Sequence, residues 1–364
     1  MKVTIQKDAI ISGLQKVQAI VNPRTTLPIL SNILLRADQG RLWFTATDLE
    51  VSVRSSAEAQ VAKEGGITLN ARRAFSIFRE LPGPEIVLAT DDDDMAHITS
   101  GSSDFHMVGI SEDDFPPLPK FDEGHTYTLE QSQLRDMLLK THYAASTDET
   151  RQVLNGALLS FRDDKLMVVA TDGRRLALVE QEIELPEEAA LDLIVPSKTI
   201  NELIRTLGES GSLKIVATQK QVAFDFDGML VISRLIEGTY PNFRQVIPAS
   251  SEERVPIERE ALLAAVRRAA LMTTDQSRSV RLNFLKNKLE LITESPEVGT
   301  SRETVAIKYS GDDIAVAFNP EFLMEPLRAV ESDEIFMEIT DELSPGVIKA
   351  DVPFLYVIMP MRIS

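Results

Sequence analysis

The sequence predicts an α+β fold made of three similar domains, each with two helices packed on antiparallel sheet. Three observations carry this prediction. An amphipathic helix followed by hydrophobic strands recurs near residues 7, 131 and 258 of the 364. A second short helix with more strands follows each time. Matching positions in the first two units stand 124 residues apart without a gap. Each third is long enough to bury its own core. Repeated units build extended or closed arrays, and arrays more often hold something than transform it. An all-β sandwich is the less favoured reading.

Each unit opens with a short strand: Val3-Thr4-Ile5, Tyr127-Thr128-Leu129 or Val255-Pro256-Ile257. The helix after it carries one apolar stripe. Ile10, Leu14 and Val17 form it in the first unit, Leu134, Leu138 and Thr141 in the second, and Leu262, Val266 and Ala269 in the third. Steps of four and then three keep each set on one helical face.

Strands follow. Leu30 aligns with Leu154, Leu35 with Leu159, Leu42 with Leu166, and Thr47-Asp48 with Thr171-Asp172. The third unit keeps the pattern in Val280-Arg281-Leu282 and Leu289-Glu290-Leu291-Ile292, but has Thr293-Glu294 in place of Thr-Asp. The second helices span Asn70 to Glu80, Pro196 to Leu207 and Asn319 to Val330. Asn70, Ser197 and the Asn319-Pro320 pair are helix-starting residues. Pro326 inside the third is expected to kink or shorten it.

Two proline-bearing polar segments resemble each other, around Phe115-Pro116 and Tyr240-Pro241, and read as linkers. They place the domains at 1–121, 122–249 and 250–364.

Bulk composition narrows the function. The chain has no cysteine, which excludes disulfides, thiolate zinc sites and cysteine nucleophiles. Its apolar runs fall far short of the ~20 residues of a membrane helix. Met1-Lys2-Val3-Thr4-Ile5 reads as strand rather than leader, so a cytoplasmic protein is expected. The net charge of −18 argues against a generally DNA-coating surface. The charge is uneven, however. The helices carry more Lys and Arg than Asp and Glu, so the remainder is more acidic than the average. Both residue types form helices well, which accounts for part of this bias. A mildly basic helix-lined face would attract a phosphate backbone without reading its sequence.

Candidate chemistry is sparse. Asp91-Asp92-Asp93-Asp94 lacks the spaced ligands and turn glycine of a calcium loop and reads as a solvated turn. Phe224-Asp225-Phe226-Asp227-Gly228 fits a strand entering an Asp-Gly hairpin better than a paired-carboxylate site. His97, His106, His125 and His142 have no helical ligand spacing. Gly208 and Gly211 lack the lysine and serine of a phosphate loop. Thr171-Asp172-Gly173 reads as a repeated structural turn. After it, Arg174, Arg175 and Leu176 are candidates for a mixed polar and apolar rim. The tail from Tyr356 is apolar and carries Met359 and Met361, which suit an adaptable binding surface. No metal or cofactor is expected.

Five strings, in order, carry a resemblance. They are Arg24-Thr25-Thr26-Leu27-Pro28-Ile29-Leu30, Thr45-Ala46-Thr47-Asp48-Leu49-Glu50, Val169 through Ala177, Tyr240-Pro241-Asn242-Phe243, and Tyr356 through Arg362. With the triple repeat and the length, they make the chain similar over essentially all of its length to the bacterial β sliding clamp family, the DNA polymerase III beta subunits. The resemblance implies the DNA clamp fold. The chain would be half of a closed ring, a head-to-tail homodimer whose helices line the hole. It implies a non-catalytic processivity factor that encircles double-stranded DNA without reading sequence. Its partners would be the replicative polymerase, the clamp loader and other proteins with a clamp-binding motif.

The resemblance also assigns residues. DNA contacts carry over to Arg24, Arg72, Arg73, Arg151 and Lys198. A partner-peptide cleft between the second and third domains carries over in two groups. Leu154, Thr171, Gly173, Arg174, Arg175, Leu176, Pro241 and Val246 come from the second domain. Asn319, Phe322, Leu343, Val357, Met359, Pro360, Met361 and Arg362 come from the third. Ring closure would set Phe105 and Met107 against Leu271 and Met272. The chain departs from the family pattern at Arg174, where histidine is frequent, at Gln245, where arginine occurs, at Ser102-Ser103-Asp104, and in the added Ser364. Two other readings of the residues are a repeat scaffold that binds proteins but not DNA, and a phosphotransferase built on Asp225 and Asp227.

Overall fold

The computed structural model describes residues 1–21, 25–119, 124–184, 190–248 and 254–362. The expected domain limits at 121 and 249, and Arg24, lie outside these residues. Six helices are described: α1 Lys7–Val17, α2 Ala71–Glu80, α3 Gln131–Leu139, α4 Ser197–Thr206, α5 Arg259–Ala270 and α6 Pro320–Ala329. All nine stripe residues expected on the first helix of each repeat are fully buried.

The second and third repeats each supply two four-stranded halves and the first supplies one of four strands and one of five, and the two eight-stranded sheets run across the repeats. A first compact unit holds Met1–Ser132 and Asn201–Leu235. Its eight-stranded sheet joins the strands Asn32–Asp38, Arg41–Thr47, Val51–Glu58 and Gly65–Asn70 of the first repeat to His125–Glu130, Ser212–Ala217, Gln221–Phe226 and Met229–Arg234 of the second. The junction is Val51–Glu58 against Met229–Arg234, antiparallel, with Val53 opposite Val231. A five-stranded sheet completes this unit and ends on the edge strand Ser103–Val108. Within it, α1 lies on the sheet at Gly13, where an added Cβ would stand 2.3 Å from the Phe44 ring. Glycine is what permits that close approach.

The second unit holds Gln133–Ile200 and Ile236–Ser364. Here Arg175–Glu182 of the second repeat pairs with Phe354–Ile358 of the third, with Leu176 opposite Val357, in another eight-stranded sheet. A four-stranded sheet ends on the edge strand Gly299–Ala306. The repeats are therefore three in sequence, while the compact units are two, because the second repeat gives one half of its strands to each.

Local chemistry explains the elements. Asn70 accepts from the Arg73 amide at 3.1 Å and Asn319 from the Glu321 amide at 2.9 Å, capping α2 and α6. Pro326 does not shorten α6, which has the same 10 residues as α2 and α4. The amide it lacks would have bonded the Phe322 carbonyl, and that oxygen is taken instead by a side-chain donor. Leu30 and Leu154 sit in 3-10 turns just before their strands rather than within them.

The Thr-Asp pairs form the same turn twice. Thr47 Oγ1 accepts from the Leu49 amide at 3.1 Å, and Thr171 Oγ1 from the Gly173 amide at 3.0 Å. Asp48 accepts from the amides of Glu50 and Val51, and Asp172 from those of Arg174 and Arg175. The left-handed position is Leu49 in one turn and Gly173 in the other, at φ 77° and 85°. In the third repeat the strand Lys288–Ser295 runs straight through Thr293-Glu294.

Asp227-Gly228 turns a hairpin with both residues left-handed. The Asp227 carboxylate accepts from Gln131 Nε2 at 3.0 Å, and Gln131 Oε1 accepts from the Gly208 amide at 2.9 Å. Asp227 and Gly208 are thereby joined through one buried glutamine. Asp91 caps its own turn by accepting from the amides of Asp93 and Met95.

Candidate functional site

The joint between Arg175–Glu182 and Phe354–Ile358 brings second-repeat and third-repeat residues onto one sheet face. Leu158, Val169, Leu176, Ile194 and Val357 form an apolar cluster there. The connector between the repeats crosses this face and sets Ile236, Tyr240, Phe243 and Ile247 against the cluster. Beyond the last strand, the Met359 amide donates to the Arg174 carbonyl at 2.9 Å and the Met361 amide to the Ala317 carbonyl at 2.7 Å. These bonds hold the tail beside the turn at Thr171.

The result is a mostly apolar cavity of about 160 Å³. Leu154, Thr171, Gly173, Arg175, Leu176, Pro241, Val246, Val357 and Met359 line it, as do Arg151, Asn242 and Phe243. Leu176 and Val357 are buried floor. Met359 and Val246 are exposed at 41% and 48%. Few polar groups face an apolar hollow of this kind, so it suits apolar side chains entering from solvent.

Arg175 was expected at the rim beside Arg174. Instead it is buried and works as a strut. Its Nε donates to Asp172 at 3.1 Å and its Nη2 to the Tyr143 carbonyl at 2.6 Å. It is ion-paired with Glu325 of α6, and its guanidinium stands 4.2 Å from the centre of the Phe322 ring. A planar fork with several donors can serve these partners at once. Burial pushes the Tyr143 hydroxyl well above the ordinary phenol range, with the neighbouring Arg175 pulling the other way. Burial also raises the Tyr356 and Tyr240 hydroxyls.

The other candidates are not part of its lining. Arg174 and Arg362 are exposed, Asn319 caps α6, and Phe322 is held under Arg175. Leu343 is 80% exposed in a turn closed by Asp341. Pro360 and Met361 follow Met359 along the tail. Asn242 and Phe243 lie in a string whose resemblance was noted without their being assigned to the cleft. Nothing local in the sequence marks Phe243 as a wall, because its position depends on where the connector crosses the sheet.

Arg151 stands at this cavity as well. Its Nη1 donates to the Asp172 carbonyl at 2.7 Å, and its guanidinium covers Gly173. Arg72 and Arg73 are exposed on α2, without a carboxylate partner among the described residues. Lys198 is exposed in the first turn of α4. Phe105 is 42% exposed on its edge strand and Leu271 is 77% exposed after α5, but Met107 is 6% exposed and points into its own fold. Met272 is half-buried. Among the described residues no group of His, Cys, Asp or Glu is arranged to hold a metal ion, and no helix is long and apolar enough to cross a membrane.

Comparison with known proteins gives one answer along the whole chain. Family models of the DNA polymerase III beta subunit match in order: the N-terminal domain over residues 1–119, the central domain over 128–242 and the C-terminal domain over 244–362. The chain is 35% identical to the beta sliding clamp of Chlamydia muridarum over 363 residues, spanning 100% of the chain and 99% of that protein. It is 30% identical to the beta sliding clamp of Bacillus subtilis, with both covered in full at 100%. A sliding clamp from Bartonella birtlesii bound to griselimycin superposes with a TM-score of 0.95 at 32% identity, covering 100% of each chain. The DNA polymerase III subunit beta of Pseudomonas aeruginosa gives 0.96 at 30% identity, also over 100% of each.

Proposed function

The chain belongs to the DNA polymerase III beta-subunit family, the beta sliding clamps, and from that membership we propose that two copies close around duplex DNA and tether the polymerase to it. It has the three-domain clamp fold. It is a processivity subunit without chemistry of its own and uses no cofactor. It works in the cytoplasm, where replication proteins meet DNA. The domain limits are set at 121 and 249. A tethered polymerase that lets go of the primer rebinds intramolecularly, so its effective concentration at the end stays high.

One observation carries ring closure. The fold makes the same joint twice inside the chain, Val51–Glu58 with Met229–Arg234 and Arg175–Glu182 with Phe354–Ile358. The backbone bond at the end of each joint recurs too, Arg234 to Glu50 and Met359 to Arg174, both at 2.9 Å. The third-repeat counterpart of the first strand is Gly299–Ala306, and the first-repeat counterpart of the second is Ser103–Val108. Among the described residues both are sheet edges without a partner strand. An unpaired edge is a template for another chain. Carrying either internal register across gives the same pairing between copies: Arg302 opposite Asp104, Ser301 opposite Phe105, Thr300 opposite His106. Phe105 and Leu271 supply exposed apolar area near the contact, while Met107 supports the strand from within.

Arg72, Arg73 and Lys198, with Arg24, supply phosphate contacts that position the duplex without reading it. Arg151 sits where it could serve both DNA and the cleft. The cavity beside Met359 receives apolar anchors of a peptide from the polymerase, the clamp loader or other partners. Two or three such side chains at about 1.5–3 kcal/mol each, less ordering costs, give affinity on the order of micromolar.

The test is topological retention. Loaded onto closed circular DNA, the protein should stay bound in high salt and be lost when the circle is cut. Binding by phosphate contacts alone would fall steeply with salt on both forms. Equal loss from circular and linear DNA overturns encirclement.

A further inference from the structure

A second hollow lies on the same sheet face as the cleft, on the other side of the connector. It has a volume of about 420 Å³. Met167, Leu178 and Leu355 make an apolar floor, and Phe243 and Ile247 wall it. Phe243 lines both hollows and is the residue their linings share.

The rim of this second hollow is basic on a chain of net charge −18. Glu180, Arg244, Arg254 and Lys349 are its charged groups. Glu180 is paired with Lys165 at 3.1 Å, and Lys349 with the buried Glu338 at 2.8 Å. These pairs are neutral. Arg244 and Arg254 remain, each exposed and each lying over an aromatic ring, Phe243 at 5.7 Å and Phe336 at 3.6 Å. Neither has an ion pair of its own among the described residues; the carboxylate that acts on Arg244, Asp192, is held by Arg162 at 2.8 Å. A guanidinium held over a ring keeps its outward donors for a carboxylate.

Resting on the reading of the cleft as a peptide site, we infer that this hollow is its extension. It takes an acidic flank of the same partner peptide, with an apolar or aromatic side chain over Leu178 and Leu355 and carboxylates against Arg244 and Arg254. Continuity through Phe243 sets the occupant as a neighbouring stretch of one peptide. The two guanidiniums without an ion pair of their own set its charge. An acidic flank would be repelled by the rest of the surface and attracted here, which gives specificity as well as affinity.

The experiment uses the full-length protein and two synthetic peptides read by fluorescence anisotropy. One is a short apolar core; the other is the same core lengthened by a segment with one Phe and three Asp or Glu. The longer peptide should bind about tenfold more tightly at low salt, and the gain should shrink as salt rises. Arg244→Glu with Arg254→Glu should abolish the gain, and Arg254→Glu alone, at a residue that stacks on Phe336 rather than on the cleft wall Phe243, should cut the gain and leave core binding unchanged. Arg244→Gln, which adds no new charge, should lose part of the gain. Equal binding of both peptides to the parent protein overturns the inference while the cleft reading stands. A gain that survives the double substitution overturns it too. A core that fails to bind the parent sinks both.

Discussion

The Tyr356 hydroxyl donates to the carbonyl oxygen of Phe322 at 2.8 Å, the oxygen that Pro326 cannot serve four residues further along α6. A strand residue at the joint thus completes the bonding of a third-repeat helix. Tyr356→Phe keeps the ring and leaves that carbonyl unpaired. It should lower stability by about 1–3 kcal/mol. Equilibrium urea denaturation measures this, and an unchanged midpoint would mean that water replaces the hydroxyl at no cost.

Buried phenols also fix the alkaline limit of stability. Burial raises the hydroxyls of Tyr143, Tyr240 and Tyr356, and that of Tyr127 to about 12. In the unfolded chain these groups ionise near the ordinary value of 10.0. Their contribution is therefore complete below pH 10 and declines above it, as the unfolded state alone releases protons. Denaturation midpoints should be flat from about pH 8 to 9.5 and fall beyond. A midpoint that starts to fall below pH 9 would place the loss in other groups.

Arg175 ties Asp172, Tyr143 and Phe322 to Glu325 with little exposure to solvent. Arg175→Ala leaves two carboxylates without their cation and should cost about 3–5 kcal/mol. Arg175→Lys should recover less than half of that, because an ammonium cannot span the same partners. Thermal unfolding of the three proteins gives the order, and equal stability of the lysine and parent forms would show that charge alone suffices.

The register across copies makes a charge-reversal test. Asp104→Arg should set two cations opposite each other and weaken the dimer about tenfold or more. Adding Arg302→Asp should restore it. Sedimentation across a dilution series reads both. Failure of the second change to rescue the first would reject the register, though another pairing of copies would remain open to measurement.

At the cleft, Met359→Ala removes a flexible wall that is 41% exposed. Partner-peptide affinity should drop by about 1–2 kcal/mol while the melting temperature stays put. Anisotropy titration beside a thermal melt separates the two, and unchanged affinity would remove Met359 from the peptide site.

Much of this was legible in local sequence. The stripes at Ile10-Leu14-Val17 and their repeats mark helices because burial follows a 3.6-residue period that needs no distant partner. Asn70 and Asn319 mark helix starts because a cap bonds within three residues. Thr47-Asp48 and Thr171-Asp172 mark matching turns for the same reason. The strut role of Arg175 was not legible because its partners Tyr143 and Glu325 are far away in the chain. Phe243 was passed over as a wall because nothing nearby in sequence says which face the connector crosses.

By itself, then, the order of residues determined three α+β repeats, their helices and their turns, since those depend on interactions a few residues long. Tertiary structure decided that the repeats share sheets, that Arg175 is a strut, and that Ser103–Val108 and Gly299–Ala306 are, among the described residues, left with open edges. Strand pairing is the physical reason. A strand's hydrogen-bonding edges are the same whatever its side chains, so which strand meets which is settled only when the whole chain has folded.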